Sequence, residues 1–136
     1  MILNGAGRNS VAGMSNRLIG KRALVVEDEA LLALELAECL TDAGLEVVGP
    51  ATSVANALKL VNNPGCDVVI LDVNLGTEHS EPVALELKAR GIPFVVLSGN
   101  SREYFPTGFA GAPSVSKPVE PLALLNLLRS CIRLCG

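Results

Sequence analysis

The sequence predicts an α/β protein built on a doubly wound parallel sheet. Short apolar runs rich in Val, Leu and Ile alternate with longer stretches of helical periodicity, and most of the runs end directly in a polar or charged residue. Strands that are apolar throughout are typical of a parallel sheet covered by helices on both faces. Right-handed crossovers between such strands make the sheet doubly wound. A hydrophobic fraction of 49% and a charged fraction of 18% exclude a disordered chain.

The predicted elements follow one another along the chain, and local signals mark their boundaries. The first helix carries Leu32, Leu36 and Leu40 on one face, and Gly44 follows as a stop signal. The segment 100–113 contains Pro and Gly at several positions, so we expect a short or irregular fourth helix there. The predicted strands cover residues 23–26, 46–49, 68–71, 94–97 and the surroundings of Val115, and the predicted long helices cover about 30–43, 53–63, 80–90 and 120–134.

Composition limits the classes of function. We interpret residues 1–20, which are rich in Gly, Asn and Ser, as a flexible leader, and residues 21–136 as one domain. No stretch is long and apolar enough for a membrane span or a signal peptide. A net charge of −3 with scattered Lys and Arg argues against direct nucleic-acid binding. The four cysteines form no C-x-x-C pair, so we expect reduced thiols and a cytoplasmic protein.

Polar side chains at the strand ends are the strongest functional signal. Glu27 and Asp28 follow the first strand, Asp72 the third, Ser98 the fourth and Lys117 the fifth. Each residue alone has an ordinary explanation, because polar residues often end strands and cap helices. Together they predict a site, because the carboxyl ends of parallel strands share one edge of the sheet, where ligands bind.

These residue types suit phosphoryl chemistry. Each pair of carboxylates about 4 Å apart costs roughly 4 kcal/mol at an effective dielectric near 20, so a cation must offset the repulsion. Mg²⁺ prefers a few carboxylates together with water and phosphate oxygens. Lys117 adds a second positive charge and Ser98 a hydroxyl donor, which together would stabilise a phosphoryl group in transfer. Asp72 is then a candidate carboxylate nucleophile.

Four motifs give the chain a family resemblance. They are VVEDE at 25–29, VILD at 69–72, LSG at 97–99 and SKP at 116–118. With these motifs in this order, the chain from about residue 22 to residue 134 resembles a response-regulator receiver domain of two-component signalling, of the chemotaxis-regulator type. The resemblance implies a flavodoxin-like fold with five strands in the order 2-1-3-4-5.

The resemblance also implies a role for each site residue. Asp72 would accept a phosphoryl group from the phosphohistidine of a histidine kinase or a phosphotransfer protein. Ser98 and Lys117 would contact that group. Mg²⁺ would be held by four residues, which are Glu27, Asp28, Asp72 and Asn74, the last through its backbone carbonyl.

Two departures from the family pattern concern signal output. Many receivers have an aromatic switch residue three positions before the Lys, whereas this chain has Ser114. Tyr104 or Phe105 are candidates to replace it. The sequence after Asp72 is also unusual: many receivers have a Met-Pro-Gly sequence there, whereas this chain has Val73-Asn74-Leu75-Gly76.

The resulting hypothesis is a stand-alone receiver that promotes only its own phosphorylation and dephosphorylation and signals to an unknown output protein by contact. The last helix is apolar nearly all round, which fits either a core helix or a homodimer interface. One alternative is a small phosphatase of the haloacid-dehalogenase type. That family needs a second Asp two residues after the nucleophile, where this chain has Asn74. Another alternative is a pseudo-receiver, an interaction module that is never phosphorylated.

Overall fold

Five parallel strands and four helices form the frame of the protein in the computed structural model, which describes residues 18–99 and 107–135. The strands lie in the order β2-β1-β3-β4-β5. This arrangement confirms the predicted fold class and the order 2-1-3-4-5. The strands are β1 (Arg22–Val26), β2 (Glu46–Ala51), β3 (Val68–Asp72), β4 (Phe94–Ser98) and β5 (Ser114–Ser116), and the helices are α1 (Ala30–Asp42), α2 (Val54–Asn62), α3 (Glu81–Arg90) and α4 (Pro121–Cys135).

The sheet has a hydrophobic core on each face. Successive residues of a strand point to opposite faces, so Val68 and Ile70 of β3 pack on one side while Val69 and Leu71 pack on the other. Helices α1 and α4 cover the first side, and α2 and α3 cover the second. Because both faces are buried, the central strands need apolar residues at every position, which explains the continuous runs in the sequence.

Helix ends lie close to the predicted positions. Helix α3 ends at Arg90, and Gly91 takes the left-handed conformation with φ of 71°. The Gly91 N–H donates to the carbonyls of Leu87 and Lys88, so it satisfies groups that the helix end would leave open. A residue with a side chain would be strained at this φ, so a stop signal in the sequence corresponds here to a backbone requirement.

The packed part of the chain begins before Lys21, the predicted start of the domain. Leu18 is fully buried in the core under α1 and α4. The N–H of Gly20 donates to the carbonyl of Gly44 at 2.9 Å, which fixes this segment beside the end of α1. The remainder of the predicted leader, residues 1–17, lies outside the described residues.

The segment predicted to hold an irregular fourth helix contributes one 3₁₀ turn, Thr107–Phe109. Phe109 is buried under α3, and the N–H of Gly108 donates to Glu81 Oε2 at 2.9 Å. Residues 100–106 lie outside the described residues, and with them Tyr104 and Phe105, the candidates for the aromatic switch.

The apolar last helix serves mainly as a core helix. Four of its side chains are buried against the sheet, whereas Leu122 is 65% exposed. In the described part of the chain, none of the helices has the length and apolar character needed to cross a membrane. The buried side chains are Leu124, Leu128, Cys131 and Ile132.

Replacing Leu18 tests where the folded part begins. We expect Leu18→Ala to lower the free energy of unfolding by about 2–5 kcal/mol, because it removes a fully buried side chain and leaves a cavity. Ile19→Ala is the matched control, since Ile19 is 54% exposed, and we expect it to cost less than about 1 kcal/mol. Urea unfolding monitored by circular dichroism measures both. Equal effects of the two changes would place Leu18 outside the cooperative core.

Candidate functional site

Three carboxylates meet at the carboxyl edge of the sheet. Glu27 and Asp28 come directly after β1, and Asp72 is the last residue of the neighbouring strand β3. One carboxylate oxygen from each residue lies within 4.8 Å of the other two. Glu27 is 1% exposed and Asp72 is 4% exposed, while Asp28 faces solvent. The sheet topology therefore produces the predicted concentration of negative charge.

Lys117 provides positive charge to this cluster. It follows β5, two strands away from β3, and its long side chain reaches across the end of β4. Its Nζ lies 2.7 Å from Asp72 Oδ2 and 3.5 Å from Glu27 Oε1. The Lys117 N–H also donates to the carbonyl of Ser98 at 2.8 Å, which fixes the base of the side chain. Lys117 therefore pairs with two of the three acids.

Ser98 ends the strand between the acceptor candidate and the lysine. It is 3% exposed, and in the sheet register it lies opposite Ser116, directly before Lys117. The preceding residue, Leu97, pairs with Asp72. The structure thus places Ser98 at the same edge of the sheet as the acids and the lysine.

Glu27 is the most perturbed group of the site. Burial raises its pKa to about 7, and the hydrogen bond and negative charge of Asp72 act in the same direction. The backbone N–H of Glu29 donates to Glu27 Oε2 at 3.0 Å and, with the charge of Lys117, opposes this rise. The other oxygen, Oε1, is buried and accepts no hydrogen bond from the described residues.

The pKa of Lys117 is also raised, but for a different reason. Burial alone would lower the pKa of Lys117, but its hydrogen bond and ion pair with Asp72 and the charge of Glu27 outweigh burial and raise it. Lys117 therefore stays protonated at neutral pH.

The donor set fits a divalent cation with oxygen ligands. Three carboxylates lie close together, two of them buried, and a buried oxygen of Glu27 lacks a hydrogen-bond donor. Lys117 supplies one positive charge against three negative ones. A hard cation such as Mg²⁺ would offset the remaining repulsion among the carboxylates and could take Glu27 Oε1 as a ligand.

A short hairpin after Asp72 is the main feature of the site that the sequence analysis missed. Two-residue strands Asn74–Leu75 and Glu78–His79 pair in antiparallel fashion around Gly76 and Thr77. The Asn74 N–H donates to Asp72 Oδ1 at 3.3 Å. Gly76 has φ of 65°, and a glycine followed by one residue between two short strands is a hairpin signal that could have been recognised.

Comparison with known proteins places these observations in a family. A sequence model described as the response regulator receiver domain matches residues 23–129, which is most of the chain. The chain belongs to the response-regulator receiver family. The interpretation based on the four motifs is thereby confirmed, and two-component signalling is the context in which this receiver domain acts.

Individual relatives agree with this assignment. The chain is 32% identical over 111 residues to the transcriptional regulatory protein PdtaR of Mycobacterium tuberculosis, covering 81% of this chain and 54% of the relative. The solution structure of SdrG from Sphingomonas melonis is 37% identical with a TM-score of 0.72, covering 85% of this chain and 98% of that one. The response regulator PhyR from Brucella abortus is 26% identical with a TM-score of 0.75, covering 94% of this chain and 55% of that one. The chain thus spans about half the length of the curated relative.

Family membership fixes the general properties of this receiver domain. Receiver domains are signalling domains without catalytic turnover beyond their own phosphorylation, and they interact with histidine kinases and output proteins. They bind Mg²⁺ at an acidic pocket, and this chain has an acidic cluster of Glu27, Asp28 and Asp72.

Replacing Glu27 tests the electrostatic cost of the cluster. Its pKa of about 7 in the folded state lies above the value of 4.5 for the free side chain. The folded protein therefore holds a proton that the unfolded chain has lost, and the free energy of unfolding falls as pH rises from 4.5 to 7. In EDTA at pH 8, we expect Glu27→Gln to be more stable than the wild type by up to about 3 kcal/mol, and the difference to vanish at pH 4.

Thermal and urea unfolding across this pH range measure the effect. Glu29→Gln removes a neighbouring exposed carboxylate and should change stability by less than about 0.5 kcal/mol. A Glu27→Gln variant no more stable than the wild type at pH 8 would show that Lys117 already compensates the buried charge.

Proposed function

We propose that Asp72 is the phosphoacceptor of this receiver and takes a phosphoryl group from the phosphohistidine of a histidine kinase or phosphotransfer protein. The position of its carboxylate carries the proposal. Asp72 Oδ2 lies 2.7 Å from Lys117 Nζ, and Oδ1 accepts the Asn74 N–H at 3.3 Å. The side chain is thus held on both oxygens, at a point where a lysine and two further carboxylates meet.

In the reaction, a carboxylate oxygen of Asp72 attacks phosphorus and forms an acyl phosphate. The P–N bond breaks, and the imidazole of the donor histidine keeps its electron pair. Lys117 is positioned to pair with an oxygen of the transferred group once that group occupies Asp72. The hydroxyl of Ser98, at the end of the intervening strand β4, would donate a hydrogen bond to another phosphoryl oxygen.

Four residues would hold the divalent cation. Mg²⁺ would neutralise charge on the phosphoryl oxygens when bound. Glu27 would contribute Oε1, which lies 3.5 Å from Lys117 Nζ but accepts no hydrogen bond from the described residues, and the exposed Asp28 would contribute a ligand on the solvent side. The remaining two ligands would be Asp72 and the backbone carbonyl of Asn74.

Partners and location complete the proposal. The output is a protein-protein contact, and the position usually held by an aromatic switch is an exposed Ser114.

A homodimer through the last helix stays a prediction, with Leu122 as its exposed apolar residue. The stand-alone organisation also stays a prediction; the match to the solved SdrG chain covers 98% of that chain. The free thiols of Cys39 and Cys66 favour a cytoplasmic location.

Intact-mass spectrometry with acetyl phosphate and Mg²⁺ tests the acceptor. We expect one phosphoryl adduct per wild-type molecule, stable in acid and labile in alkali, and none on Asp72→Asn, because the amide cannot act as the nucleophile. Asp67→Asn is the matched control, since Asp67 is exposed and lies at the opposite end of β3. No adduct on the wild type would favour a pseudo-receiver, and multiple-turnover hydrolysis of phosphoesters would favour the phosphatase.

Thermal unfolding with and without Mg²⁺ tests the metal ligands. We expect Mg²⁺ to raise the unfolding temperature of the wild type by several degrees, because a ligand at about 100 times its dissociation constant adds about 2.7 kcal/mol. The rise should be much smaller for Asp28→Asn. Asp42→Asn, which changes an exposed acid at the far end of α1, should respond like the wild type. Equal shifts in all three proteins would remove Asp28 from the metal site.

A further inference from the structure

The hairpin of residues 74–79 lies against the acidic cluster but has little stability of its own. It pairs only two residues in each strand, Asn74 with His79 and Leu75 with Glu78. An isolated two-stranded hairpin is marginal in water even when it is longer. Its position beside the acids must therefore come from contacts with the rest of the protein.

Ser80 provides the first of these contacts. It follows the hairpin, is fully buried, and its hydroxyl donates to the backbone carbonyls of both Asp72 and Val73. The Ser80 N–H also donates to the Val73 carbonyl at 2.9 Å. These bonds close the base of the hairpin, and on its first strand Leu75, which is 3% exposed, packs in the core that α2 and α3 cover.

Glu78 provides a second contact on the outer part. Its Oε1 accepts the N–H of Val54 at 3.1 Å. Val54 is the first residue of α2, so its N–H has no partner within the helix, and the helix N-terminus favours a carboxylate. Ser53 caps a different donor of the same helix, the N–H of Asn56, so Glu78 does not duplicate it.

The contact joins the hairpin to a segment that also holds the acidic cluster. Val54 lies three residues after Ala51, whose carbonyl accepts the N–H of Glu27 at 2.9 Å. On the other side, a Cβ placed on Gly76 would lie 3.7 Å from Asp28 Oδ2, so the hairpin turn is next to that acid. Glu78 thus ties the hairpin to the connection that supports Glu27, and the turn stays beside Asp28.

We propose that Glu78 is a positioning residue for the divalent-cation site, acting through its hydrogen bond to Val54. It is exposed and is not one of the three acids that meet at the site. By fixing the hairpin, it fixes Asn74, whose N–H already bonds to Asp72 Oδ1 and whose carbonyl would be a ligand. This inference rests on the proposed function, since it concerns the affinity of the same site.

Three variants and Mg²⁺ titrations test this role. Glu78→Ala removes the hydrogen bond, Glu78→Gln keeps an oxygen that can accept it, and Glu35→Ala removes an exposed acid of α1 as a charge-matched control. Calorimetric titration with Mg²⁺ alone gives the dissociation constant, and intact mass gives the rate of adduct formation from acetyl phosphate at limiting Mg²⁺. We expect Glu78→Ala to raise the dissociation constant for Mg²⁺ about tenfold, because losing the contacts that support metal ligands weakens metal binding. The rate of adduct formation should fall in proportion.

The other variants distinguish positioning from charge. Glu78→Gln and Glu35→Ala should bind Mg²⁺ within about twofold of the wild type, and the unfolding temperature of Glu78→Ala in EDTA should stay near that of the wild type. A wild-type affinity in Glu78→Ala, or a Glu78→Gln variant as weak as Glu78→Ala, would overturn the inference. A wild type that binds no Mg²⁺ would instead overturn the proposed function.

Discussion

Repulsion among carboxylates at the rim of the sheet is the constraint on which the rest of the site depends. Glu27 and Asp72 are buried and lie with Asp28 within a few ångströms of one another, so at least one of them resists ionisation. Burial raises the pKa of Glu27 to about 7, and the hydrogen bond and charge of Asp72 add to this rise. Lys117 offsets part of this negative charge. The charges of Asp72 and Glu27 in turn raise the pKa of Lys117, so the lysine keeps its proton. The site therefore concentrates negative charge that Lys117 only partly balances.

The fold makes this concentration of charge possible. Neighbouring parallel strands β1 and β3 end at the same edge, so the residues that follow them meet without any special loop. A hydrophobic core on each face packs these strands between helices, so their ends are held beside one another. Lys117 follows β5, two strands away from β3, and its long side chain brings Nζ to 2.7 Å from Asp72 Oδ2.

The connections at this edge are less regular than the sheet and set the finer geometry. The hairpin after Asp72 depends on Ser80 and Glu78 for its place, and both residues bond to backbone groups rather than to other side chains. On the neighbouring connection, the 3₁₀ turn is tied to α3 by Glu81 and by Lys88, whose Nζ donates to the Ala110 carbonyl at 3.1 Å. Helix α3 therefore contacts the segment before β5 through both of its ends.

The sequence by itself determined the sheet, its order of elements and the five polar residues at the strand ends, because apolar runs and the residues that end them are local signals. It placed the domain start too late, since Leu18 becomes apolar core only by packing under α1 and α4. The position of the hairpin beside Asp28, the pairing of Lys117 with two acids and the perturbed pKa of Glu27 were decided by the tertiary structure. Each depends on distances between residues far apart in the chain, which no local pattern encodes.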